Sequence, residues 1–215
     1  MSLLRFADVA CVRGGRLLFE GVSFMLEQGE AGLVTGPNGT GKSSLLRVAA
    51  GLLEPAQGSV TREGRVALAD ENLALDRELP LADALGFWAR LDGRAARLDA
   101  ALDRFGIAHL APVPVRMLST GQRKRAVLAR VASSGAMIWL LDEPTNGLDA
   151  EAVGRLERAC EAHRGRGGIV LAATHHSFGL TGAKQIPFAS IEFGTRAEEG
   201  ISTSLDTNGQ EPGTC

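Results

Sequence analysis

Gly36-Pro37-Asn38-Gly39-Thr40-Gly41-Lys42-Ser43 is the stretch that decides the fold. It fits GxxxxGK[ST] at every constrained position, a pattern that cradles phosphate when it joins a strand to a helix. Both neighbours have that character. Residues 30–35 (Glu-Ala-Gly-Leu-Val-Thr) read as a buried strand, and residues 42–51 carry a helical apolar pattern that stops at Gly51. The glycines let successive backbone N–H groups turn inward around phosphate oxygens. The helix starting near Lys42 adds the positive end of its dipole. Lys42 is expected to reach the β- and γ-phosphates, and the Ser43 hydroxyl to ligate Mg²⁺. Residues 36–43, with Ser44 behind them, are therefore the expected phosphate contacts. Asn38-Gly39-Thr40 also fits an N-glycosylation sequon, but the phosphate loop explains it better.

A second stretch supplies carboxylates. Residues 136–141 (Ala-Met-Ile-Trp-Leu-Leu) are apolar without alternation, as a parallel strand covered on both faces must be. They run into Asp142-Glu143. A carboxylate at the end of such a strand can stand beside the Mg²⁺ of a phosphate-loop site, which is the role expected of Asp142. Glu143, one residue on, is placed to polarise an attacking water.

Around these stretches, residues 3–12 and 17–26 read as a hairpin about Gly14-Gly15, and residues 58–63 and 65–70 as a second hairpin about Gly64. From about 81 to 133 the period is helical. Leu81, Leu85, Trp88 and Leu91 form one stripe, and Leu98, Leu102 and Phe105 another. Pro112 and Pro114 interrupt before a helix that starts near Ser119. A helix over about 150–164 and a strand over 167–173 follow. The plan is α/β: an antiparallel β subdomain at the N-terminus, a phosphate-loop core, and a helical subdomain inserted at about 72–133. Residues 1–193 form one domain in this reading. Residues 194–215, poor in apolar side chains, are expected to be a disordered tail.

Composition agrees. Of 215 residues, 45% are hydrophobic and 22% charged, ordinary globular values that exclude a disordered or coiled-coil chain. A formal charge of -2 offers no general basic field for nucleic acid. Glycine, at 27 residues, is nearly twice its usual share. Cys11, Cys160 and Cys215 form no CxxC pair and read as reduced thiols. No run approaches the ~18 apolar residues of a membrane-spanning helix, and no signal peptide is visible, so work at a membrane implies a partner. Trp88 and Trp139 are expected in the core, and His109 and His163 on the surface. Arg123-Lys124-Arg125 reads as a solvated helical turn. Cys11 lies in a strand without a C-x-x-C-H context and is not read as a haem ligand.

The order of further short motifs narrows the family. Leu118-Ser119-Thr120-Gly121-Gln122 resembles the LSGGQ signature of ATP-binding cassette (ABC) proteins, with Thr120 in place of the first Gly. It lies about 20 residues before Asp142, as in that family, and Ser119 is also a good helix N-cap. Asn146-Gly147-Leu148-Asp149 is similar to the family's D-loop. His175 stands where the family has its switch histidine, with His176 the lesser candidate. The resemblance covers residues 1 to about 193. It implies that ATP and Mg²⁺ are bound and that two copies pack head to tail around two ATP molecules. The phosphate loop of one copy then faces Ser119, Gly121 and Gln122 of the other, with Asp149 at the interface. It further implies hydrolysis through Lys42, Glu143 and His175, driving a membrane partner.

The N-terminal run Cys11-x-Arg13-x-x-Arg16-x-Leu18-Phe19 is similar to the ATP-binding subunit of the cytochrome c maturation system, a haem-export family that also uses the LSTGQ form. Glu78-Leu79 and Leu85-Gly86-Phe87-Trp88 are similar to the same subunit. This implies integral membrane subunits as partners, without a membrane span in this chain, at the cytoplasmic face of the bacterial inner membrane. An exporter ATPase for another small molecule or lipid, and a soluble regulatory cassette, stay open as alternatives. Two departures from the family pattern stand out. Tyr is absent from the chain, and the adenine-stacking position falls on Arg13, whose guanidinium can stack on a base. The Q-loop segment Ala69-Asp70-Glu71-Asn72-Leu73 holds no Gln. Asn72 aligns best, with a carbonyl oxygen for Mg²⁺, and Glu71 is the runner-up.

Overall fold

The computed structural model describes residues 3–70, 75–175, 178–186 and 188. β1 (Leu3–Arg13) and β2 (Arg16–Glu27) fold back on each other through Gly14 and Gly15. Both glycines have positive φ, 57° and 76°, as a tight hairpin matching strand twist requires. The other edge of β1 pairs antiparallel with β4 (Gln57–Glu63), giving a three-stranded sheet in the order β2-β1-β4.

The second sheet has five strands, all parallel. β5 (Val66–Ala69), β6 (Ile138–Asp142), β7 (Ile169–Thr174), β3 (Ala31–Thr35) and β8 (Lys184–Ile186) lie side by side in that order. Every residue of β6 and β7 is buried. Ile138 and Leu140 pack towards α1 (Lys42–Ala50) and the antiparallel sheet, while Trp139 and Leu141 pack towards the helical insert. Burial on both faces accounts for the apolar run without alternation that the sequence shows.

The expected second hairpin about Gly64 does not form. β4 and β5 lie in different sheets, and the chain crosses between them at Gly64, whose φ is 118°. The physical reason is visible in the side chains. Gln57–Glu63 is mostly polar and solvent-facing, whereas Val66-Ala67-Leu68-Ala69 suits a strand covered by helices. β8 was not anticipated; at three residues it is too short to carry a period.

Between β5 and β6 come α2 (Leu81–Leu91), α3 (Leu98–Arg104) and α4 (Thr120–Ser133), with 3₁₀ turns between them. Leu81, Leu85, Leu98, Leu102 and Phe105 are buried as their spacing predicts. Leu91 is not: it is 69% exposed, because it ends α2 just where the chain turns away at Asp92-Gly93. Trp139 is buried, while Trp88 is half-buried with the Arg130 guanidinium 4.2 Å over its ring. The tail 194–215 lies outside the described residues.

α5 (Ala150–Arg164) corrects a second expectation. His163 is buried, not on the surface, and completes the buried stripe Leu156, Ala159, Cys160, His163. Its ring stacks on Trp139 with centroids 3.9 Å apart, and its Nε2 lies 3.1 Å from the Met137 carbonyl oxygen. That oxygen can only accept, so Nε2 carries the proton. Burial pushes the imidazole pKa down to about 4, leaving the ring neutral. His109 is exposed, as expected.

Candidate nucleotide-binding site

β3 delivers the phosphate loop to the N-terminus of α1. Gly41 caps that helix with φ 103° and offers no side-chain cap, so the first-turn N–H groups keep no internal acceptor. A methyl group at Gly41 would sit 3.3 Å from Leu18 Cβ and Phe19 Cδ1, so β2 is pressed against the loop. Thr40 Oγ1 donates to the Pro37 carbonyl at 3.0 Å and stiffens the turn. Lys42 is only 5% exposed. Its Nζ donates to the carbonyl oxygens of Gly36 (2.6 Å) and Pro37 (2.8 Å), which hold the ammonium at the mouth of the loop.

β6 brings Asp142 and Glu143 to the same place. Asp142 is buried at the strand end, and its carbonyl accepts from Lys124 Nζ at 2.9 Å. Lys124 therefore does not belong to a solvated turn; it ties α4 to the end of β6. Glu143 has φ 43°, a left-handed conformation that costs about 1–3 kcal/mol in a residue with a Cβ. Its N–H donates to the Ala173 carbonyl at 2.8 Å, which fixes this turn of the backbone.

The Glu143 carboxylate is gripped from two sides. Oε1 lies 2.8 Å from His175 Nδ1 and 3.7 Å from Lys42 Nζ. Oε2 accepts the His175 backbone N–H at 3.3 Å. Burial pushes this carboxyl's pKa up. Hydrogen bonds from the His175 ring and backbone and from Thr174 outweigh that and hold it below the ordinary glutamate value. An ionised carboxylate only accepts, so His175 Nδ1 carries the proton of that contact.

These groups line one open cavity of about 480 Å³. Arg13, Asn38, Gly39, Gly41, Lys42, Ser43, Ser44, Asp142, Glu143 and His175 were expected there and are brought together. Arg16, Leu18 and Asn146 also line it and were missed. Arg16 was legible in principle, because the hairpin register pairs it directly with Arg13. The Ser43 hydroxyl and the Asp142 carboxylate are hard oxygen donors on the same cavity wall, a donor set that fits Mg²⁺ shared with substrate phosphates.

Ser119, Gly121, Gln122 and Asp149 do not line this cavity. Ser119 and Gln122 form a reciprocal cap on α4. The Gln122 N–H donates to Ser119 Oγ at 3.2 Å, and the Ser119 N–H donates to Gln122 Oε1 at 2.8 Å. Asp149 Oδ1 accepts the Ala152 N–H at 2.8 Å and caps α5. Gly121 meets the loop before α5 so closely that a methyl group there would lie 2.7 Å from the Gly147 carbonyl oxygen. Asn72, Glu71 and His176 lie outside the described residues.

Comparison with known proteins agrees with this geometry. A family model described as ABC transporter matches residues 19–146. The cytochrome c biogenesis ATP-binding export protein CcmA of Sphingopyxis alaskensis is 56% identical over 181 residues, covering 83% of this chain and 92% of its own. The protein of the same name from Zymomonas mobilis is 50% identical over 199 residues, covering 93% and 90%. Among solved structures, a putative ABC transporter ATP-binding protein from Pyrococcus furiosus superposes with TM-score 0.75. That alignment covers 86% of this chain and 98% of the other at 20% identity, a likeness of fold.

Proposed function

Because the chain belongs to the ABC transporter family, in its cytochrome c biogenesis ATP-binding branch, we propose that it is the ATP-binding and ATP-hydrolysing subunit of a transporter complex serving cytochrome c biogenesis. ATP lays its phosphates across the loop N–H groups and the N-terminus of α1, and Lys42 turns from the loop carbonyls to the β- and γ-phosphates. Arg13 stacks on the base. Ser43 and Asp142, with Asn72 as the expected third ligand, would hold Mg²⁺, which would offset phosphate charge.

Glu143 takes the proton from a water as its oxygen bonds to the γ-phosphorus. The bond from that phosphorus to the β–γ bridging oxygen breaks, and ADP leaves with those electrons. His175 holds the carboxylate through Nδ1 and turns Nε2 towards the γ-phosphate. Ser119, Gly121 and Gln122 do not line this cavity, so they serve the ATP of a second copy, with Asp149 beside that interface. Two copies thus close around two ATP molecules. No described helix is long and apolar enough to cross a membrane. The complex's membrane subunits carry the span, and this subunit sits peripherally on the cytoplasmic face of the inner membrane.

The observation that carries this reading is Glu143, held ionised between His175 and Lys42 at the mouth of the phosphate loop. Glu143→Gln keeps the shape and removes the base. It should retain ATP on a filter while hydrolysis falls by about 10²–10⁴-fold. Hydrolysis at the wild-type rate would contradict the assignment.

A further inference from the structure

Four arginines crowd a region that the ATP site does not use. Arg97, Arg104 and Arg166 line a cavity of about 270 Å³. Arg94, Arg97 and Arg166 line an adjoining one of about 290 Å³, and Arg97, Ala132 and Arg166 are common to both. The arginines come from two parts of the molecule: Arg94, Arg97 and Arg104 from the helical insert, Arg166 from the turn between α5 and β7. Two of the heads converge. A methyl group at Gly135 would lie 3.0 Å from Arg94 Nε and 3.2 Å from Arg97 Nη1, so two guanidinium groups close on one glycine. Alanines form the rest of the first cavity's wall and leave room for a guest, while Met137, Trp139 and His163 help to line the second.

None of the four arginines has an ion pair among the described residues. Asp99 and Asp103 share α3 with Arg104, and Glu161 lies on α5, but none of them forms an ion pair with these arginines among the described residues. Two other carboxylates are engaged elsewhere. Asp92 pairs with Arg65 at 2.9 Å, and Glu151 with Arg155 at 2.8 Å. Like charges gathered without an ion-pair partner repel one another, and the arrangement is unexpected in a chain of net charge -2. Guanidinium forks match phosphate oxygens two at a time, so a multiply charged phosphate is the guest that relieves this crowding best.

We propose that the cleft bounded by Arg94, Arg97, Arg104 and Arg166 is a second anion site, distinct from the phosphate loop, that takes a compact soluble di- or polyphosphate. A ligand there bridges the helical insert to the parallel-sheet core. The site stands independently of the ATPase reading, because it shares no residue with the nucleotide cavity.

The test is calorimetric titration of inorganic pyrophosphate into full-length protein whose phosphate loop is filled with a non-hydrolysable ATP analogue. Saturable binding is expected, weakened about ten-fold or more in the R97A/R166A variant, with binding of the analogue unchanged. Both side chains are exposed, so the variant should fold, and its melting temperature checks this. No pyrophosphate binding to the wild type, or equal binding to the variant, would overturn the proposal. Sedimentation with phosphatidylglycerol vesicles that depends on Arg97 and Arg166, without pyrophosphate binding, would overturn a soluble ligand in favour of a lipid headgroup.

Discussion

Two residues with unusual surroundings show how differently burial acts on a charge. Glu143 is nearly buried yet stays ionised, because His175, Thr174 and the local backbone donate to it. His163 is buried among apolar groups and stays neutral. Its folded pKa of about 4 lies below the 6.5 of an unfolded histidine, so the unfolded chain binds the extra proton between those values. Stability is therefore complete above about pH 6.5 and falls as the pH drops towards 4. The expected loss is about 2–3 kcal/mol. His163→Phe keeps the stack on Trp139 and removes the titrating group. Denaturant unfolding at pH 7 and pH 4.5 should show wild type losing about 2 kcal/mol more than the variant. Parallel losses would contradict the assignment. This histidine was legible in the sequence as the fourth member of an i, i+3, i+4, i+7 stripe; its polarity hid that position. Glu143 was readable because it follows an apolar strand and an aspartate. Its left-handed backbone was not, since no local residue type signals it.

Among the elements, the start of α4 carries most of the information. Ser119 and Gln122 cap the helix, while Gly121 lets it touch the Gly147 carbonyl. Two substitutions separate these duties. Ser119→Ala should cost about 1 kcal/mol of stability through the lost cap, measured by chemical denaturation. Gly121→Ala meets backbone at 2.7 Å, so α4 must shift away from the loop before α5. It should slow ATP hydrolysis by the assembled complex much more than it lowers the melting temperature. Equal and small effects of both substitutions would remove the special role of this helix start. The antiparallel hairpin, α1, α4 and α5 were all readable from turn glycines, caps and helical period. The second hairpin was misread because a glycine between two β-like runs looks the same whether the chain turns back or crosses to another sheet. Only the change from polar Gln57–Glu63 to apolar Val66–Ala69 distinguishes the cases.

At the scale of the molecule, the two sheets and the insert place the phosphate loop, Asp142, Glu143 and His175 in one cavity and the signature segment outside it. The separation of the signature segment from this cavity is what the proposed pairing of two copies would bridge. The cavity could be foreseen because each of its groups lies at the end of a strand that the sequence marks as buried. Arg16 follows from its pairing with Arg13 across the hairpin, whereas Leu18 and Asn146 enter through packing that no local pattern marks. The most direct measurement is covalent haem in c-type cytochromes, by haem-stained gel, in cells whose only copy of this protein carries Glu143→Gln at the wild-type level. Covalent haem should be lost while b-type haem proteins remain intact. Normal c-type cytochromes in those cells would contradict it.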